Sequence, residues 1–505
     1  MKKTLVILAV MLAGIVPAAA SPAAPAAEGK PRLVTREVSL GKVDSDIEGW
    51  QIALSPNMKR VAYWSWQNDK GCVVLDGKRG KDYDGAGDHP IFSRDSNHVA
   101  YIAKRGAKEL VVVDTKEGRE YDEIGCAPSF SPDSRKLVYT ARRGNKWFVV
   151  ENGKEGAEYD EVVNYYLRYS PDSSKLIYKA KRRGKSIVVI NGVEGKEYDG
   201  ILEKISFSPN GKRVAYWALR GNKCITVVDG AEEKESDPFF DWSAVFSPDS
   251  KRLAYRIWSE KKRTMRMVVD GKEGEGYDFI YDAVFSPDSK HFYYMAQLDD
   301  KWFIVADKGE GKRYNRVGPP IISPDNRHVA YSAELADSYF VVIDGKEGTR
   351  HKGGWNDGNP IFSPDSKHIA YEFVIEGTKQ KELWIMDGRE GKKYDSVGDI
   401  IFSPNSKRIA YTAHSDGKWR TVLDGVEGKP CDWIGESLIF SPDGKHLAYW
   451  AETAGKRRVV VDGMAGKEYD NMIRESKIIF DSPATLHTLA ARNNELFRVE
   501  IKIEE

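Results

Sequence analysis

Short apolar runs alternate with polar turns along most of the chain, and the alternation itself repeats. A Ser-Pro-Asp or Ser-Pro-Asn turn recurs with its serine at 55, 131, 170, 208, 247, 286, 323, 363, 403 and 441. Ser93-Arg94-Asp95 and Ser482-Pro483-Ala484 are degenerate members, which makes twelve copies. The spacing is 37 to 41 residues, and in the first eleven copies the eighth residue after the serine is tyrosine, from Tyr63 to Tyr449. A period near 40 residues fits four-stranded propeller blades or paired helices. The runs decide between them: they are short, rich in Val, Ile and aromatics, bounded by turn residues, and some are apolar on both faces, as in a sheet packed between two others.

Each unit predicts four strands, a to d, as in Asp399–Phe402, Arg408–Tyr411, Trp147–Val150 and Lys467–Asp470. In the a–b turn, proline presets φ near −65° and Asp or Asn follows it, the chemistry of a type I turn. The c–d turn is Asp-Gly-x-Glu-Gly in copies such as Asp344 to Gly348, where glycine tolerates positive φ. The fold class is therefore all-β, a propeller of twelve four-stranded blades.

These units, an apolar residue, Ser-Pro-Asp, a basic residue and Ala-Tyr, resemble the WD40-like propeller repeats of the TolB type over nearly all of residues 33 to 505. The resemblance implies a scaffold that binds other macromolecules in the cell envelope. The chain departs from that family in having twelve copies and no room for an N-terminal α/β domain.

Arg36-Glu37-Val38-Ser39-Leu40 precedes the first a strand and reads as a d strand, while the last unit ends on a c-like strand, Glu495–Val499. Borrowing a strand from one chain end to close a ring removes an exposed sheet edge. Propellers commonly hold four to eight blades, so the expectation is two six-bladed propellers in tandem, at 33–270 and 271–505. The strand near Val38 would then complete the ring of units one to six. A seven-plus-five division near Gly318-Pro319-Pro320 is the alternative. Charge agrees with a boundary at 270: residues 33–270 carry 41 Lys+Arg against 36 Asp+Glu, and 271–505 carry 32 against 39.

The net charge of +1 over 505 residues gives no bulk attraction to nucleic acid. Residues 1–20 read as a secretory signal, with Lys2 and Lys3, an apolar run from Leu5 to Val16 and Ala18-Ala19-Ala20 before Ser21. The apolar run is shorter than a bilayer span. The expectation is a periplasmic or secreted chain with no transmembrane segment after cleavage, beginning with a disordered leader at 21–32. Cys72, Cys126, Cys224 and Cys431 show no C-x-x-C spacing, and Cys431 replaces a tyrosine found in most units.

Familiar chemical motifs are missing. Arg183-Gly184-Lys185-Ser186 has Lys179 where a phosphate loop needs its first glycine, and it reads as a hairpin. His98, His291, His328, His368 and His446 share one repeat position where other units carry Arg or Lys, so they read as strand starts and no metal is expected. G-x-S-x-G is absent. No catalytic residue, enzyme class or cofactor is indicated, although a polysaccharide lyase or hydrolase site assembled in a propeller funnel stays open as the alternative function.

The leading reading is an exported binding scaffold that engages a protein or an anionic envelope polymer through its loop face. Two groups are candidates. One is the set of basic b–c turns: Arg105 and Lys108; Arg142, Arg143 and Lys146; Arg182, Arg183 and Lys185; Arg220 and Lys223. They are expected to form a positive arc that recruits acidic polymers. The other is the variable d–a loops, with Asp88, Tyr165, Tyr166, Asp241, Trp242, Trp355 and Asp357, and with Tyr281-Asp282 and Trp433 beside them.

Overall fold

A computed structural model of the chain describes residues 31–43, 52–238, 244–307, 309–353, 359–375, 381–435 and 437–504, without the side chains of residues 164 and 165. The proposed signal and all but the end of the leader lie outside these residues; Arg32 already belongs to a strand. The described residues form twelve small antiparallel sheets, and no helix is among them. Each sheet is one repeat unit, or blade, numbered here in chain order.

The b strand shows why the repeat folds this way. It opens Val-Ala-Tyr or a near copy, as in Val61-Ala62-Tyr63, and all three residues are buried because neighbouring blades cover both faces of the sheet. The turn before it is held by its serine. Ser55 Oγ accepts the N–H of Arg60 at 2.9 Å and donates to Asn57 at 2.8 Å, and the arrangement recurs at Ser208 with Arg213 and Asn210. The serines are wholly buried, which is the physical reason for the Ser-x-Asp/Asn spacing.

The blades follow one another around a single ring. Blades six and seven share one core, in which Ala254 and Met267 meet Tyr277, Phe292 and Tyr294. Their a–b turns are joined as well, Asp249 N–H donating to Ser289 Oγ at 2.9 Å, as Asn210 of blade five donates to Ser250 of blade six at 3.0 Å. Blade twelve in turn packs on blade one, with Leu489 and Leu496 against Val61, Tyr63 and Val74. That seam carries Lys59–Asp481 at 3.0 Å, and His487 sits between Asp481 at 2.6 Å and the Asn57 carbonyl at 2.8 Å.

This corrects the expected division at 270/271. The N-terminal strand, Arg32–Lys42, does not complete the sixth unit: it pairs with the c strand of blade twelve, Glu495–Glu504, in a register running from Arg32↔Glu504 to Ser39↔Phe497. Blade six already owns a d strand, Lys272–Tyr277, and among the described residues it is blade twelve whose outer strand comes from elsewhere in the chain. The seven-plus-five division fails as well, since Met295, Ile304 and Tyr314 of blade seven share a core with Tyr331 and Phe340 of blade eight.

Candidate binding site

The repeat-wide polar residues are consumed in holding blades together. At most crossings from d to a, a Tyr-Asp pair ends the outer strand; Ser236-Asp237, Tyr314-Asn315, His351-Lys352 and Cys431-Asp432 stand in its place at the others. Asp122 accepts from Lys108 of its own blade and from the Gly144 N–H of the next, and Asp160, Asp199, Asp432 and Asp470 repeat the clasp. The lysine bond chiefly holds each of these carboxyls below the usual carboxylate range. On the outer belt, Tyr121 donates to Glu155 of the next blade and Arg143 reaches the same carboxylate at 2.7 Å. Tyr83, Tyr159, Tyr198 and Tyr394 make equivalent bonds to Glu117, Glu194, Glu232 and Glu427. Tyr469 completes the series by donating to Glu37 on the N-terminal strand at 2.7 Å.

The expected positive arc is therefore heavily neutralised. Arg105 pairs with Glu117 and Glu120, Lys108 with Asp122, Arg142 with Glu123, Arg143 with Glu155, and Lys146 with Asp160. Arg182 pairs with Glu194, Lys185 with Asp199, Arg220 with Glu232 and Lys223 with Asp237. Arg183 enters through its backbone, its N–H donating to Asp160 at 2.8 Å. These cations answer first to carboxylates that anchor the next blade.

Of the variable loops, Asp241, Trp242, Trp355 and Asp357 lie outside the described residues, as does the side chain of Tyr165. Asp88 is exposed, and its carbonyl accepts from Trp64 Nε1 at 3.3 Å. Tyr166 is buried beneath the Lys179 ammonium, 5.3 Å from its ring centroid.

Other unrepeated residues gather on the inner strands. In blades two, three, eight, ten and eleven, the third residue after the crossing Asp or Asn is glycine: Gly87, Gly125, Gly318, Gly398 and Gly435. A Cβ on Gly87 would stand 2.6 Å from Ile102 of the b strand, so only glycine lets the backbone lie that close. Blades four, five and seven carry Val163, Leu202 and Tyr281 there. Their inner strands, Glu161–Tyr169, Gly200–Phe207 and Phe279–Phe285, run on without the break seen at the glycine and take up the larger residue in a bulge. A bulge re-aims side chains, and Asp282 sits in this one with φ of 41°.

Between these strands lies a pocket of about 210 Å³ spanning blades five to seven, lined by Lys204, Arg256, Tyr281 and Asp282 among others. Arg256 is buried, donates to the Ile280 carbonyl at 2.7 Å and lies 6.0 Å from the Tyr281 ring centroid. Tyr281 is 42% exposed and Phe279 44%; their rings stack at 6.3 Å, and Trp302 stands 5.9 Å beyond Tyr281. On blade one, Trp66 is 51% exposed and stacks on Trp64 at 6.3 Å. Sequence reasoning picked out Tyr281-Asp282 but missed Lys204 and Arg256. The loss of the glycine in consecutive units was the available signal.

Glu372, on the b strand of blade nine, is pushed up to about 7 by burial and then by the nearby Glu382 and Asp399 carboxylates. Among the described residues no group of three or more His, Cys, Asp or Glu stands together as a metal site. The repeat-position histidines each pair with a c–d turn aspartate, as His98 does with Asp114 at 3.0 Å. The four cysteines are free thiols. In place of the Tyr–Glu belt bond, blades ten and eleven carry Cys431 and Ala465, so both partners are lost together.

No family model matches the chain, and no curated protein does. Among solved structures, a eukaryotic initiation factor aligns at 14% identity over 66% of this chain and 97% of its own, with a TM-score of 0.30. The propeller domain of the Trilobed protease from Pyrococcus furiosus aligns at 17% identity over 53% of this chain and 94% of its own, with a TM-score of 0.27. TolB from Acinetobacter baumannii aligns at 14% identity over 44% of this chain and 61% of its own, with a TM-score of 0.23.

Proposed function

We propose that this protein is an exported binding scaffold that engages a protein or an anionic envelope polymer through the face carrying its d–a and b–c loops. One observation carries the reading. Residues common to the blades are spent on interblade bonds, while exposed aromatics that break the repeat, Trp66, Phe279 and Tyr281, lie at or just below that rim. Exposed aromatics of this kind are the usual anchors of an interface. The signal-like residues 1–20 support export.

The test is capture of a partner from envelope extract by the immobilised chain. Capture should fall with Trp66→Ala, Phe279→Ala and Tyr281→Ala, but not with Val426→Ala on the opposite, c–d side. No captured partner, together with turnover of a polysaccharide or peptide library by the purified chain, would reverse the reading. That second reading, hydrolytic or lyase chemistry in the funnel, rests on Glu372, whose carboxyl is placed to exchange a proton near neutral pH. Any such turnover should be abolished by Glu372→Gln.

A further inference from the structure

We infer that the pocket across blades five to seven is a subsite for a single carboxylated sugar residue, of the uronic acid kind, with the aromatic rings beside it carrying the adjoining sugars. The inference rests on the binding reading above and names its ligand.

Three features converge on this chemistry. The first is the series Phe279, Tyr281 and Trp302, of which Phe279 and Tyr281 are exposed and Trp302 half-buried, with neighbouring rings 6.3 and 5.9 Å apart. A pyranose presents a flat face of C–H groups that packs on such rings, whereas an extended acidic peptide offers no comparable surface. The second is the pair of cations at the pocket, Lys204 on the inner strand of blade five and Arg256 on the b strand of blade six. Arg256 is fixed in place by the Ile280 carbonyl and Tyr281, so its guanidinium is already ordered for a carboxylate. The third is Asp282, which shares the pocket. A carboxylate accepts from sugar hydroxyls and repels a dianionic phosphate, so the site selects a singly charged polyol.

Size agrees. About 210 Å³ is smaller than the clefts that take drug-sized ligands. One sugar ring fits, and its neighbours in a chain must lie outside, over Phe279 and Trp302. Where Arg256 stands, blade four carries another cation, Lys179, which likewise reaches an inner-strand carbonyl, that of Ile201, whereas blades two, three, eight and ten carry Ile102, Thr140, Ser332 and Thr412.

The experiment is titration calorimetry of the whole chain with trigalacturonate, its methyl ester, maltotriose and polyglutamate, and affinity electrophoresis through a gel containing polygalacturonate. Trigalacturonate should bind, and the ester and maltotriose should bind at least roughly tenfold more weakly, as should polyglutamate. Lys204 and Phe279 are exposed, so Lys204→Ala and Phe279→Ala should preserve the fold, checked by circular dichroism. Each should weaken trigalacturonate roughly tenfold. Retardation by the gel together with trisaccharide binding identifies a polymer ligand, and trisaccharide binding without retardation identifies a free oligosaccharide; both support the subsite. The inference is overturned if trigalacturonate does not bind at millimolar concentration, if polyglutamate binds equally, or if both variants bind as the parent does. Should an envelope partner still be captured through the loop face in that event, the scaffold reading stands and only its ligand is wrong.

Discussion

Replacing Glu37 by glutamine removes one charge from the strand that closes the ring. In the folded chain the carboxylate accepts from Tyr469 at 2.7 Å, from Arg492 at 3.0 and 3.1 Å and from Lys467 at 3.4 Å. Burial opposes its ionisation, but those bonds prevail and hold it at about 2, against an ordinary 4.5. At about 1.4 kcal/mol per pH unit, that gap sets a ceiling of about 3 kcal/mol on what ionisation contributes. The side chain is 15% exposed, and solvent screening lowers the figure to about 1–2 kcal/mol. Because the folded value lies below the unfolded one, the contribution is complete above pH 4.5 and is lost as pH falls towards 2. Amide exchange of Thr35–Ser39 and Phe497–Ile501 reads the opening of this strand pair directly. In Glu37→Gln, exchange at pH 7 should quicken by roughly 5- to 30-fold after correction for intrinsic rates. At pH 3 the gap between variant and parent should narrow. Unchanged exchange at pH 7, or an equal acceleration at both pH values, would refute the reasoning.

Three further outcomes follow from the same bonds. Leu40→Ala hollows the core between blades twelve and one, where Leu40 is 4% exposed, and should cost about 2–5 kcal/mol by thermal or denaturant unfolding. Arg143→Glu and Arg182→Glu set a second carboxylate against Glu155 and Glu194, and each should lower the melting temperature; unchanged melting would mean that these pairs carry no structural load. Cys431→Tyr with Ala465→Glu restores the belt bond missing between blades ten and eleven, with Lys429 at the place Lys81 holds in blade one. The double variant should be more stable than the two single changes sum to, by about 0.5–1.5 kcal/mol in a double-mutant cycle.

The blades were legible because their cause is local. A serine that must bond the fifth residue on, a proline that presets one dihedral and a tyrosine buried at one register all act within a dozen positions. The ring was not legible, because the strand around Val38 can pair with any c strand lacking a partner, and its choice is made 472 residues away, where Arg32 meets Glu504. The basic turns misled for a related reason. Lys108 and Arg143 are obvious in the sequence, but their partners Asp122 and Glu155 look like ordinary turn residues until the blades are side by side. The inner pocket fell between these cases. Lys204 and Arg256 lie in different units and come to line one pocket only when the blades stand side by side, although the missing glycines at Val163, Leu202 and Tyr281 mark where the inner wall changes.

The pairing of first strand with last also orders the assembly in time. Blades one to eleven each complete a sheet from consecutive residues, so they can form as the chain lengthens. Blade twelve draws its outer strand from residues 32–42 and its neighbour from 495–504. Residues 32–42 must therefore wait, unpaired, until residues 495–504 have been made. Closing so long a loop comes late in folding, and until it closes the half-made ring presents a bare c-strand edge at one end and an uncovered blade face at the other. A chain interrupted anywhere before residues 495–504 is left in that state, so the closing step doubles as a check that all twelve blades are present.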